Sequence, residues 1–224
     1  MQTLSRRSFL LASLGVASLC LAGCGSGASG AASTSAASAS AVPSSSASSC
    51  VTSASGEYAS GMHHATIEVE GYGAIKLELD ADVAPVTVAN FAKLAGEGFY
   101  DGLTFHRIIE GFMVQGGDPN GNGMGGSDEK IVGEFSDNGH PNSISHVRGT
   151  ISMARSQAYN SASSQFFIMQ ADTPSLDGQY AAFGHVTEGM DVVDAMCEAA
   201  RPTDNNGTIA AADQPRIASV KMDD

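Results

Sequence analysis

Three polar side chains lie in apolar runs of this chain where a strand that only fills a core has no use for them. Arg107 and Gln115 belong to Phe105–Asp118, "FHRIIEGFMVQGGD", and Gln165 lies in Ser164–Gln170, "SQFFIMQ". Side chains alternate faces along a strand. Arg107, Met113 and Gln115 share parity across a turn at Glu110–Gly111, so a hairpin places them on one surface, with His106, Ile108 and Val114 on the opposite, core surface. In the second run Gln165, Phe167 and Met169 share a face, and Phe166 and Ile168 share the other. Two strands thus offer a guanidinium, two amides and large, soft apolar groups. Such a surface suits holding a peptide: apolar area grips a side chain while a few polar groups address the amides.

The elements that must position these residues are short. "ATIEVEGYGAIKLELD" (Ala65–Asp80) alternates apolar and polar residues around Gly-Tyr-Gly and predicts a hairpin. "APVTVANFAKLAGEG" (Ala84–Gly98) predicts a helix, with Pro85 in the first turn, Val88, Phe91, Ala92 and Leu94 or Ala95 on one face, and Gly96 or Gly98 ending it. "GTISMAR", "SQFFIMQ" and "YAAFGHV" read as strands, "TEGMDVVDAM" as a second helix with Thr187 as N-cap, and "RIASVKM" as a closing strand. Many short strands and two helices indicate a β-rich domain, sandwich or barrel.

"FHRIIEGFMVQGGD", followed in order by "ISMARS", "NSASSQFFI" and "LDGQYAAFG", resembles the cyclophilins, a family of peptidyl-prolyl cis–trans isomerases; the match runs from about Ala65 to the C-terminus. The resemblance implies a mainly β fold, a closed eight-stranded antiparallel barrel capped by two α-helices, with its site on the outside. It puts Arg107 at the catalytic position. Phe112, Met113, Gln115, Ala154, Gln165, Phe167 and Leu176 fall at proline-pocket and peptide-groove positions, with Arg155 and Tyr180 beside them. Alternation alone sends Phe112 to the core face, so a bend at Gly111 must re-aim it. The chain departs from many relatives at Arg155-Ser156, where they carry Asn-Ala, at Ser175 (tryptophan) and at Tyr180 (histidine).

The implied chemistry follows from the barrier. Amide resonance makes rotation cost about 18–20 kcal/mol, and free Xaa-Pro bonds take tens of seconds or longer. The twisted state loses that resonance and the proline nitrogen regains a lone pair, which Arg107 can meet with a hydrogen bond available only near the transition state. No metal, nucleophile or cofactor is required. An alternative of another class is a membrane-tethered peptide-binding or chaperone module with weak or incidental isomerase activity; the intact Arg107, Phe112, Met113, Gln115 and Phe167 set argues for the enzyme, and the departures at Arg155-Ser156, Ser175 and Tyr180 keep the alternative open.

Blander readings compete at single residues. Arg107 in isolation reads as a surface salt-bridge partner; within the ordered motif set the catalytic reading wins. His106 reads as a satisfied core histidine, and His63-His64 as an exposed pair without ligand spacing. "GNGMGG" (Gly121–Gly126) fits G-x-G-x-x-G, but acidic residues follow it where a phosphate site needs a helix. Asp118–Glu129 fits a calcium-loop template, yet strands flank it where the template needs helices.

Residues 1–23 read as an export signal: Arg6-Arg7 precede an apolar stretch, Phe9–Leu21, too short to span a membrane. "SRRSFL" resembles a twin-arginine signal and "LAGC" (Leu21–Cys24) a bacterial lipobox, which implies lipid on Cys24. Residues 24–61, almost only Ala, Ser and Gly after Cys24, read as a disordered tether with a reach of roughly 30–35 Å. Residues 62–224 form the expected isomerase domain. The location implied is the extracytoplasmic face of the cell membrane, lipid-anchored. Cys20 leaves with the signal, and a Cys50–Cys197 bridge stays open.

Net charge is −13; without Arg6 and Arg7 nine basic residues face 24 acidic ones, a balance of −15. So acidic a chain argues against a nucleic-acid backbone or an anionic membrane surface as partner. The expectation is a monomer that acts on proline-containing segments of exported client proteins and meets the membrane through its N-terminal lipid alone.

Overall fold

The computed structural model describes residues 50–224; the expected signal segment, Cys24 and residues 25–49 of the expected tether lie outside the described residues. In chain order the elements are β1 (Cys50–Val51), β2 (Met62–Val69), β3 (Gly73–Asp80), α1 (Pro85–Gly96), β4 (Thr104–Ile109) and β5 (Met113–Asp118). They continue with β6 (Lys130–Ile131), β7 (Thr150–Met153), β8 (Phe166–Met169), β9 (Ala182–Glu188), α2 (Met190–Ala199) and β10 (Ile217–Met222).

Eight strands form one sheet in the order β10-β2-β3-β9-β7-β8-β5-β4, every neighbour antiparallel. The expected hairpin is β2–β3, with Ile67 opposite Ile75 and Ala65 opposite Leu77, all buried. Inside the curl, Phe91 of α1 meets the rings of Tyr100, Phe166 and Phe183 at centroid distances of 5.3, 5.8 and 5.5 Å. Such aromatic pairs add about 0.5–1.5 kcal/mol each beyond area burial. Cys50 and Cys197 are both free; burial pushes the Cys197 thiol up to about 12 and makes it inert.

The sheet is a curled half-barrel, not the closed barrel expected. Its edge strands touch at one end only, through the Thr104–Arg216 bridge and the bonds from Phe105 N–H to Pro215 O (2.9 Å) and Ile217 N–H to Leu103 O (2.8 Å). Beyond that point another segment takes the outer edge of β4. Ile108 N–H donates to Gly207 O (2.9 Å), Ile209 N–H donates to His106 O (3.0 Å), and Arg107 bridges Thr208. The edge is plugged, so β10 has nothing left there to pair with.

Two boundary expectations also change. Thr187 belongs to β9, where its hydroxyl donates to Lys76 O, and the N-cap of α2 is Gly189 at φ +93°. A side chain there would put its Cβ 2.2 Å from Ala74 O, so only glycine lets the helix start against β3. Composition assigned residues 50–61 to the tether, yet β1 pairs in parallel with β6, and Val132 N–H donates to Val51 O at 2.9 Å. His63 is buried rather than exposed, with Nδ1 2.7 Å from Asp224 and Nε2 2.9 Å from Ser60 O.

The cap of α1 comes from far along the chain. Ala84 at the N-cap has no side-chain oxygen, and Pro85 fills the first turn. The buried Glu134 carboxylate accepts the Val86 and Thr87 N–H groups (3.0 and 2.8 Å) and the Thr87 hydroxyl (2.7 Å). It thereby satisfies orphan donors and complements the positive end of the helix. Glu134→Ala is expected to destabilise the fold by about 2–3 kcal/mol, because buried donors lose their acceptor. Glu134→Gln, which keeps one accepting oxygen, should cost less; urea unfolding midpoints of the two variants test the order.

Candidate active site

The β4–β5 hairpin sets the site. Arg107 pairs with Gln115, Ile108 with Val114 and Ile109 with Met113, as the parity argument requires. The register breaks between Phe105 and Arg107, and this bulge turns Phe105 into the main core while Arg107 stays on the outer face. β8 continues the ladder, with Met113 opposite Met169 and Gln115 opposite Phe167. Buried Met113, Phe167 and Met169 therefore form a second apolar cluster on the outer face, with Ile109, Phe112, Ala154, Leu176 and Tyr180 partly buried against it. At the turn, Gly111 adopts φ +75° and Phe112 N–H donates to Ile109 O at 3.0 Å, the bend that carries the Phe112 ring outward.

These groups line a cavity of about 150 Å³. Its apolar lining is the buried Met113 and Phe167 with the partly buried Phe112, Ala154, Leu176 and Tyr180, and its polar lining is Arg107, Gln115 and Arg155. Gln165 stands behind this row in an adjoining cavity of about 240 Å³ that shares Gln115, Ala154 and Arg155 as walls.

Arg107 is held on two sides. Its Nε donates to Asn206 O at 2.7 Å, and one terminal nitrogen donates to Gln115 Oε1 at 3.1 Å. Gln115 Nε2 donates to Gln165 Oε1 (2.9 Å), and Gln165 Nε2 to Gly123 O and Gly125 O (3.1 and 2.8 Å). This chain of amides leaves the other terminal nitrogen, Nη2, without a partner among the described residues. Burial draws the guanidinium pKa down, against the fields of Tyr180 and Asp204; a guanidinium starts so high that it stays charged at neutral pH.

Beneath Phe167 lies a pair of residues that the sequence did not single out. The buried His146 ring stacks on Phe167 at 6.0 Å and 19°, and its Nδ1 lies 2.8 Å from Asp177 Oδ1. A carboxylate only accepts, so Nδ1 carries the proton, and in the neutral ring Nε2 accepts from the Ser152 hydroxyl at 3.1 Å. Nothing in the local pattern signals contacts that join residues 146, 152, 167 and 177. Asn206, whose carbonyl orients Arg107, was missed for the same reason.

His106 is buried, but neither ring nitrogen has a hydrogen-bond partner among the described residues, so it is not the satisfied core histidine expected. Burial holds it below its ordinary value, with Arg107 acting in the same direction and Asp118 opposing. The ends of the calcium-like loop are engaged elsewhere. Asp118 accepts backbone N–H groups from Asn120 and Asn122 (2.8 and 3.0 Å) and from Gly123, and Glu129 receives Lys93 Nζ at 2.6 Å. Burial would raise the Asp118 carboxyl, but these amides hold it below its ordinary value.

A family profile described as "Cyclophilin type peptidyl-prolyl cis-trans isomerase/CLD" matches residues 64–222. A peptidyl-prolyl cis-trans isomerase of Synechococcus elongatus is 48% identical over 127 residues, which is 57% of this chain and 82% of that protein. A probable peptidyl-prolyl cis-trans isomerase of Brucella suis is 45% identical over 158 residues, 67% of this chain and 79% of that one. Among solved structures, a cyclophilin-type isomerase of Cryptosporidium parvum crystallised in the presence of the dipeptide Ala-Pro aligns at a TM-score of 0.63 and 30% identity, covering 72% of this chain and 99% of that one.

The buried imidazoles give the fold a pH dependence. Burial, opposed by Asp177, holds His146 below the ordinary imidazole value of 6.5, so the unfolded chain takes up a proton there first. This contribution to stability is complete above pH 6.5 and is lost as pH falls toward the folded value. Urea midpoints of the wild type and of His146→Gln between pH 7.5 and 5 (about two to three units, spanning this window) should show a weaker pH dependence in the variant. An unchanged dependence would show that His146 is not held neutral.

Proposed function

The chain belongs to the cyclophilin-type peptidyl-prolyl cis–trans isomerases (EC 5.2.1.8), and from that premise we propose that it accelerates Xaa-Pro rotation in exported proteins without covalent chemistry, with Arg107 stabilising the twisted imide. The observation that carries this reading is the Arg107 guanidinium, held by Asn206 O and Gln115 at the rim of an apolar cavity with Nη2 unbonded among the described residues. In the planar ground state the proline nitrogen has no lone pair to offer. As the bond twists one appears, and a preorganised donor then stabilises the barrier without stabilising the substrate. Phe112, Met113, Phe167 and Leu176 hold the ring in the cavity. Gln115, Gln165 and the backbone at Arg155 and Ala154 address the flanking amides, and Tyr180 closes the side nearest Arg155.

The proposed setting is the extracytoplasmic membrane face, with residues 1–23 removed on export, lipid on Cys24 and residues beyond it as tether. The motifs "SRRSFL" and "LAGC" support this. A monomer suffices for the chemistry, since every group named above comes from one chain.

Arg107→Ala should leave the fold intact, because the side chain lies on the outer face, and should lower turnover by about 10²–10³, as for loss of one preorganised donor. Wild-type turnover in a folded Arg107→Ala protein would overturn the catalytic assignment of Arg107. In cells, Cys24→Ser should move the protein from the membrane to the soluble extracytoplasmic fraction, as fractionation would show; continued membrane retention would remove the lipid anchor from the proposal.

A further inference from the structure

An acidic protein has carboxylates to spare, and outside the groove four of the six described lysines and arginines find them, Arg201 and Lys221 being the exceptions. Lys76 pairs with Glu188 (2.7 Å), Lys93 with Glu129 (2.6 Å), Arg148 with Asp194 (2.6 Å) and Arg216 with Glu70 (3.8 Å). The two adjoining cavities break that pattern. Arg107, Arg155 and Lys130 line them, no carboxylate does, and none of the three makes an ion pair among the described residues. Glu129, next to Lys130 in sequence, turns to Lys93 on α1 instead. Asp204, whose field reaches Arg107, is occupied by Thr208 and by the Asn206 N–H of its own loop.

Arg155 is also fixed in place. Its guanidinium carbon stands 5.2, 5.1 and 4.7 Å from the ring centroids of Phe135, Tyr159 and Tyr180. Its Nε donates to Gln179 O (2.9 Å) and one terminal nitrogen to Ser156 O (2.9 Å), and Nη2 has no partner among the described residues. A cation caged in this way loses little freedom when it binds an anion. Across the second cavity, Lys130 Nζ is only 3.4 Å from Ser127 O and is otherwise available.

We infer that the groove selects acidic clients: Arg155 and Lys130 receive a carboxylate carried within about three residues of the proline, the reach of an extended chain at roughly 3.3 Å per residue from one cavity into the next. This rests on the isomerase reading and adds the substrate class to it. A peptide with lysine in the same place meets two unneutralised cations and is rejected. The field of the whole protein runs the other way, since the chain carries −13; the groove is a local positive site that only a correctly placed acid exploits.

The test uses the full chain and heptapeptides with one central proline, with Glu, Gln or Lys placed in turn at each position up to three residues on either side of it. Isomerisation is followed by protease-free exchange NMR. At one or two positions kcat/KM for Glu should exceed that for Gln about fivefold and that for Lys about tenfold at low ionic strength, with the advantage shrinking as salt screens the pair. Lys130→Glu should reverse the preference there and leave the Gln peptide unchanged. Equal rates for Glu, Gln and Lys at every position, with the Gln peptide turned over normally, would overturn the acidic preference and leave the isomerase reading standing. So would a preference that survives Lys130→Glu. No turnover of any peptide would overturn the isomerase reading itself.

Discussion

The site depends on one constraint: β5 and β8 must bury both of their faces. A sheet strand ordinarily turns one face to the core and the other to water. Here Val114 and Ile168 fill the core, while Met113, Phe167 and Met169, their neighbours in sequence, are just as deeply buried on the outside. Outer-face apolar groups of that size need a cover, and the chain supplies it from the 3₁₀ turn bearing Leu176, from Tyr180 and from Phe112 at the hairpin bend. The cover is incomplete, and the remaining cavity has the size of a small ring. Polar residues enter only at its margin, at register positions where Arg107 and Gln115 face one another.

Much of this was legible because strand parity and turn chemistry are local. The parity that grouped Arg107, Met113 and Gln115 is the observed ladder, and Gly111 bends where Phe112 needed it. What escaped depends on contacts distant in sequence. A carboxylate 47 residues away caps the helix at Thr87, and no capping signature near Ala84 announces it. The carbonyl of Asn206 orients Arg107 from a loop 99 residues further on. The bulge between Phe105 and Arg107 breaks the register of β4, and nothing in the local alternation announces it. Closure of the sheet was expected from resemblance, and resemblance does not reveal which segment occupies an edge.

Electrostatics divides the molecule in a way composition conceals. The net value of −13 describes a surface on which four cations are paired off. It does not describe the groove, where Arg107 is braced by a chain of amides and Arg155 by aromatic rings. Both arrangements fix a guanidinium without neutralising it. A carboxylate partner would have held either side chain equally well and cancelled its charge.

The segment that plugs β4 has a further consequence. An isomerase of Xaa-Pro bonds binds polypeptide, and a free sheet edge beside its site would invite an extended segment to add on as a further strand. Along Arg107–Ile109 that edge is spoken for by residues 207–209 of the same chain. A client can therefore lay its side chains in the groove, but it cannot zip its backbone onto this side of the sheet. Contact on this side is made through side chains and individual amides, with no added strand to lock the bound backbone in place.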